Sequence, residues 1–263
     1  MTLSEATRRV GTPDRDEAVE FLRRDPTWSA YPLGYMDRAG GVTTEAFGLG
    51  GSAGLEGLVV VAYLPSLLNV FATGDPPAVA AILAEMPRLP ASGVFSAQAH
   101  VLDSMERQLQ VTTAYRMRRM RVREAELRPR VEGSPVRLSL EHLDQVRRLY
   151  GLWTDSHQLP AQLSGGVYYG VFEAGQLIAA AGTHALSQES RVGAIGNVLT
   201  HASHRGRGLA SSTTTAVARE LFARGCDEVV LNVRQGNDIA LATYHKLGFT
   251  DYCTFIEGIF HKR

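Results

Sequence analysis

The chain has 263 residues, long enough for one large domain or two of ordinary size, and in either case for a substantial core. Its 27 basic and 27 acidic side chains cancel, which argues against a nucleic-acid or anionic-membrane partner and makes any anion site a local one. The N-terminal stretch has no apolar leader and no run approaches the ~18 apolar residues of a membrane helix; Cys226 and Cys253 lack metal-ligand spacing, so a soluble cytoplasmic protein with reduced thiols is expected.

In chain order, "DRDEAVEFLRRDP" places Ala18, Val19, Phe21 and Leu22 on one helical face, with Asp14 as N-cap and Pro26 beyond the end. "AYPLGYMDRAG" reads as a short helical turn broken by glycine. Two β-rich runs around Pro65 and Ser66 predict a hairpin. A helix over Pro77 to Met86, a strand "GVFSAQAHV", a helix "LDSMERQLQ" and a strand "AYRMRRMRVRE" follow. Residues 127–135, "LRPRVEGSP", break every periodicity and read as a linker between an N-terminal α/β domain, 1–126, and a second domain, 136–263.

The second domain opens with the helix "SLEHLDQVRRLYGL" and a hairpin turning at Glu173 to Gln176. The strand "VGAIGNVLT", a helix ending at Gly225, the strand "EVVLNV", the helix "DIALATYHKLG" and one or two last strands complete a mixed α/β domain. The N-terminal half has a similar order, which suggests duplication without repeated sequence.

The junction "NVLTHASHRGRGLASS" carries the chemistry. A strand passes through a short turn straight into a helix, whose first N–H groups are unpaired and carry about half a positive charge. Gly206 and Gly208 let that backbone close on phosphate oxygens, and Arg205 and Arg207 supply further donors. The competing reading is a glycine-rich turn with two solvated arginines. A P-loop would end in Gly-Lys-Ser/Thr, a dinucleotide fingerprint would need glycine where Ser211 stands, and an arginine-glycine RNA segment would not be wedged between a strand and a helix.

"RGRGLA" resembles the Arg/Gln-x-x-Gly-x-Gly/Ala signature of the GNAT superfamily of N-acetyltransferases, at Arg205, Gly208 and Ala210. Further on, "NDIALATYHKLGF" resembles the family's second landmark at Asn237, Ala240, Tyr244, Gly248 and Phe249. Spacings of three and four put Asn237, Ala240 and Tyr244 on one helix face. The resemblance implies a GNAT-like fold for the C-terminal half and acetyl-CoA as acyl donor. The pyrophosphate would lie on Arg205, Gly206, Arg207, Gly208, Leu209, Ala210 and Ser211, and the pantetheine along Val198, Leu199 and Thr200 and beside Asn237 and Ala240. Tyr244 would be the general acid for the leaving thiolate. The reaction implied is direct attack of a primary amine in a ternary complex, on a small-molecule or protein acceptor, by a monomer or homodimer.

The pattern departs from the family at "VGAIGN", which lacks the strand carboxylate that many members use as a base. His184 is a candidate base, its alternative being a histidine with a satisfied hydrogen bond. A non-catalytic acyl-CoA-binding module is therefore the rival function. Glu173 and Glu189 read as turn carboxylates, and His201 and His204 lack a third ligand, so no metal is expected. In the N-terminal half, "ATGDPPAVAAIL" has Asp75 and Pro76 where glycine and arginine would be needed. That half is expected to be a degenerate GNAT-like domain that shapes the acceptor pocket or a dimer contact, a layout resembling the glycine N-acyltransferase-like group.

Overall fold

The computed structural model describes residues 10–39, 41–51, 54–65, 67–151 and 159–263; Ser66 and Leu152, at an expected turn and an expected helix end, lie outside them. In chain order the elements are β1 (Val10–Gly11), α1 (Arg15–Leu22), α2 (Ala30–Met36), β2 (Thr43–Gly51), β3 (Gly54–Leu64), β4 (Leu67–Gly74), α3 (Pro76–Glu85), β5 (Ser92–Gln98), α4 (Ala99–Glu106), β6 (Leu109–Val122), β7 (Val136–Arg137), α5 (Leu143–Tyr150), α6 (Leu159–Gly165), β8 (Tyr168–Glu173), β9 (Gln176–Ser187), β10 (Val192–Thr200), α7 (Leu209–Ala223), β11 (Glu228–Arg234), α8 (Asp238–Lys246) and β12 (Thr250–Lys262). The mixed α/β class is the one expected. No helix among the described residues is long and apolar enough to cross a membrane.

These elements gather into two compact units, and the chain passes between them more than once. One unit takes the described residues up to Arg24, then Val42–Met117 and Thr254–Arg263; the other takes Asp25–Gly41 and Arg118–Cys253.

In the first unit β2, β3 and β4 form an antiparallel meander, and β4 runs through α3 into a parallel pairing with β5. The end of β12 adds to β5 antiparallel, from Phe255 opposite Gln98 to His261 opposite Ser92. Val59, Val61, Val70, Phe95 and Phe260 from the strands close on Val79, Ile82 and Leu83 of α3 and on Val101 and Met105 of α4. Such fully buried side chains stabilise by about 1.5–3 kcal/mol each. The pairing of β3 with β4 keeps one uninterrupted register from Gly57 opposite Gly74 to Leu64 opposite Leu67.

In the second unit β7, β8, β9 and β10 are antiparallel neighbours, and β10 crosses through α7 to pair in parallel with β11. The end of β6 lies beyond β11. Val217, Leu221 and Phe222 of α7 pack on Ile195, Val229 and Leu231, and Tyr244, Leu247 and Phe249 join the same core. The segment carrying α2 is fixed by Arg119, which is 1% exposed. Its guanidinium lies 4.9 Å from the Trp28 ring centroid and 5.1 Å from that of Tyr31. Arg119 also donates to Asn232 Oδ1 at 3.0 Å and to the Thr27 and Trp28 carbonyls, so the buried cation is solvated by protein dipoles.

Several sequence expectations shift. Thr43–Gly51 is a strand that the sequence reading leaves unassigned, because Gly48, Gly50 and Gly51 dilute its β-propensity. α2 is a continuous helix: Gly34 does not break it, but lets it approach β9, where an added Cβ would come within 2.7 Å of the Ala185 Cβ. α4 begins at Ala99 rather than at Leu102, and α6 is a helix that periodicity did not signal. The hairpin turns where expected, Glu173 facing Gln176, with Ala174 and Gly175 at φ of +48° and +77° as a two-residue turn requires.

Candidate functional site

Two bulges shape the centre of the second unit. On β9, Thr183 and Ala185 face the consecutive β10 residues Ile195 and Ala194, which leaves His184 as the extra residue. On β10 the register then moves from Gly196 opposite Gly182 to Leu199 opposite Ala180, with Asn197 at φ +52°, a left-handed conformation that asparagine tolerates better than most residues. On its other side β10 pairs with β11 only from Val192 opposite Glu228 to Ile195 opposite Leu231. The two strands therefore part, and the backbone of Val198, Leu199 and Thr200 faces a cleft instead of a ladder partner.

The cleft has a volume of about 900 Å³. Every cofactor-site residue expected from the sequence lines it. β10 supplies Val198, Leu199 and Thr200; the following turn and the first residues of α7 supply Arg205, Gly206, Arg207, Gly208, Leu209, Ala210 and Ser211; α8 supplies Asn237, Ala240 and Tyr244. Sequence reasoning missed Arg130, Glu132, His204, Ile239, Thr243 and Lys246 on the same walls. Thr243 and Lys246 were within reach of it, being on the helix already singled out. Arg130 and Glu132 were not, because the segment read as a linker is docked on α7 by its backbone: Arg130 N–H donates to Thr215 Oγ1 at 3.2 Å and Glu132 N–H to Ser212 Oγ at 2.9 Å.

At the cradle, Gly206 and Gly208 adopt φ of +79° and +77°, which a residue with a Cβ enters at a cost. Gly208 caps α7 without a side chain, and the first helical bond runs from Ser212 N–H to the Gly208 carbonyl at 3.1 Å. The N–H groups of Leu209, Ala210 and Ser211 thus have no acceptor inside the helix and are presented at its positive end. Arg130, Arg205, Arg207 and Lys246 outnumber Glu132 among the charged side chains on the cleft walls. The Thr200 hydroxyl is buried with no hydrogen-bond partner among the described residues. An anion at the cradle, continued by a polar chain along β10, fits this set of unspent donors and acceptors.

Glu173 is more than a turn carboxylate. It accepts from Arg207 at 2.7 Å and from His204 Nε2 at 2.9 Å, and these two hydrogen bonds hold its carboxyl below the usual range. His201 instead contacts Ser203 Oγ through Nδ1 at 2.8 Å, and no group of three or more His, Cys, Asp or Glu side chains is placed to hold a metal among the described residues. Glu189 approaches Arg38 at 3.9 Å.

On α8, Asn237 is the N-cap: its Oδ1 accepts from Ala240 N–H at 3.2 Å. Tyr244 is 8% exposed and meets Phe249 edge-on at 5.9 Å between ring centroids. No side-chain hydrogen bond perturbs its phenol, which borders the cleft. Burial alone raises its pKa above the ordinary tyrosine value, so the hydroxyl keeps its proton and is available as a donor.

A model of the acetyltransferase (GNAT) family matches residues 138–249. Among solved structures, a GCN5-related N-acetyltransferase from Kribbella flavida is 18% identical with a TM-score of 0.59, covering 78% of this chain and 86% of its own. A tandem GNAT protein from the clavulanic acid biosynthesis pathway is 12% identical with a TM-score of 0.60, covering 96% of this chain and 98% of its own. A Drosophila protein is 12% identical with a TM-score of 0.72, covering 97% and 98%. At these identities the likeness is one of fold, and it extends over both halves of the chain.

Proposed function

Because residues 138–249 are an acetyltransferase (GNAT) family domain, we propose that the protein transfers an acetyl group from acetyl-CoA to a primary amine by direct attack in a ternary complex. The observation that carries this reading is the continuity of one cleft: an open strand edge, a glycine cradle at a helix N-terminus and the Tyr244 phenol all border it.

Each part has a task set by its chemistry. The cradle N–H groups bind the pyrophosphate, each charge-assisted bond contributing on the order of 1.5–3 kcal/mol. Arg205 and Arg207 add guanidinium donors, and Arg207 exchanges the Glu173 carboxylate for a phosphate oxygen. The backbone of Val198, Leu199 and Thr200 hydrogen-bonds to the pantetheine amides as an added strand would. Acetyl-CoA supplies the activated thioester. Tyr244 donates to the departing sulfur. Its raised pKa makes it a stabiliser of the thiolate by a shared proton more than by early complete transfer, since proton transfer is most effective between groups of matched pKa. The two free cysteines, Cys226 and Cys253, support a reducing, cytoplasmic setting for such an enzyme.

A panel of amines with acetyl-CoA, read by release of free thiol, tests the reading. Thiol release that depends on one amine class supports it. Tight binding of acetyl-CoA with no release across the panel would favour instead a coenzyme-binding module without chemistry, for which the absence of a carboxylate in "VGAIGN" is the one argument.

A further inference from the structure

We propose that His184 is the general base that takes the proton of the attacking amine, and that Asn197 positions it. This rests on the acyl-transfer reading above and assigns the one role that reading leaves open.

Both residues are bulge residues, and the two bulges follow one another along the β9–β10 ladder, His184 opposite Ala194 and Ile195, and Asn197 just beyond Gly196. An extra residue in a strand turns a side chain out of the regular alternation. His184 is accordingly exposed, although both its chain neighbours, Thr183 and Ala185, are buried. Its ring lies flat over Gly196, where an added Cβ would fall inside the imidazole. That puts it over the two residues preceding Val198, the first cleft-lining residue of β10.

The tautomer is fixed from behind. His184 Nε2 lies 2.9 Å from Asn197 Oδ1. The Asn197 amide is turned with its Nδ2 toward the Tyr168 oxygen, to which it donates at 2.6 Å, and toward Gln162 Oε1 at 3.2 Å, while the Tyr168 hydroxyl donates to the same Gln162 oxygen at 2.8 Å. The Tyr150 hydroxyl holds the Asn197 carbonyl at 2.5 Å. Asn197 therefore presents its oxygen, His184 donates through Nε2–H, and the lone pair sits on Nδ1. On that side, among the described residues, the hydrogen-bonding group is the Tyr31 hydroxyl of α2, at 3.3 Å, a long bond that an incoming amine can displace.

Among the described residues the hydrogen-bond partners of His184 are uncharged: Asn197 from β10, backed by Tyr168 and Gln162, and the Tyr31 phenol from α2. Behind Tyr31 lies the Arg119 guanidinium, 5.1 Å from the Tyr31 ring centroid. Crowding by protein lowers the His184 pKa and the Asn197 hydrogen bond only partly opposes this, so the ring is neutral at pH 7. A weak base suffices here, because the nitrogen proton becomes strongly acidic as the new C–N bond forms. In the balanced step the amine lone pair forms the C–N bond and its proton passes to His184 Nδ1. The C–S bond breaks with its electron pair on sulfur, stabilised by the hydrogen bond Tyr244 donates; the thiolate then takes up the proton that His184 releases through solvent, and Tyr244 keeps its own.

The test uses the full chain and the best amine from the thiol-release panel. His184→Gln should keep acetyl-CoA affinity by calorimetry and lose about a hundredfold in kcat, with the acid limb of the rate profile flattened. Asn197→Asp keeps an acceptor for Nε2–H but adds negative charge. It should move the His184 titration followed by NMR to higher pH and carry the acid limb of the rate with it, a joint displacement that requires His184 to be the group whose ionisation sets the rate. Wild-type turnover and pH profile in His184→Gln would overturn the assignment while leaving acyl transfer standing. An unmoved acid limb in a folded Asn197→Asp would overturn the positioning role. No thiol release from the wild-type protein with any amine would overturn the acyl-transfer reading, and this role with it.

Discussion

Replacing Gly208 by alanine isolates what the left-handed backbone of the cradle contributes to coenzyme binding. At φ +77° an alanine bears roughly 1–2 kcal/mol of steric cost. Among the described residues the only nearby group is the Glu132 side chain, with Cγ 3.1 Å from the new Cβ, and being exposed it can move aside. Where the cost appears depends on the free protein. Gly206, Arg207 and Gly208 are all exposed, so in the variant the loop can relax to a right-handed or extended conformation with little loss of fold stability. Binding then has to restore the left-handed turn, and acetyl-CoA affinity falls by the same energy, about 5- to 30-fold. Gly206→Ala, at φ +79° with open space around the new Cβ, should behave alike. Gly208→Asn should recover most of the loss, because asparagine enters this region more easily. Calorimetry measures the affinity and a melting curve controls for folding. Wild-type affinity in both alanine variants, with unchanged melting, would refute the cradle.

Tyr244→Phe keeps the ring against Phe249 and removes only the hydroxyl, so acetyl-CoA affinity should hold while turnover falls about a hundredfold; affinity and rate falling together would instead make the phenol a coenzyme anchor. Acetyl-CoA should bind once per chain. In the N-terminal unit β3 and β4 pair without a bulge, Pro76 and Pro77 remove two N–H groups from the start of α3, and Asp75 adds negative charge there; a calorimetric stoichiometry near two would contradict this. Burial, reinforced by Asp227, pushes the Cys226 thiol up to about 11, so at pH 8 only about one part in a thousand is thiolate. Iodoacetamide should therefore modify it at least a hundredfold more slowly than an unstructured cysteine, and comparable rates in the folded protein would show the thiol to be exposed.

What the sequence determined by itself is local. Asp14 and Asn237 as helix caps, the two-residue turn at Ala174 and Gly175, and the strand-turn-helix cradle follow from interactions within a few residues, whose spacing is written in the chain. The same holds for Asn237, Ala240 and Tyr244, which helical periodicity alone puts on one face, and these residues do line one cleft with Val198 to Thr200 and Arg205 to Ser211. Tertiary structure decided what depends on partners far apart in the chain. Residues 25–41 join the unit built from 118–253, and residues 254–263 pair back onto β5, choices that carry no periodic signature because strand pairing is set by which edges are left to satisfy. Arg130 and Glu132 reach the cleft because two hydroxyls of α7 accept from their backbone, and Glu173 meets Arg207 because a hairpin returns beside the cradle. His184 is the sharpest case. In the sequence it is one polar residue in an apolar strand, and the one-residue bulge that turns it onto Gly196 and Asn197 exists only in the register between β9 and β10.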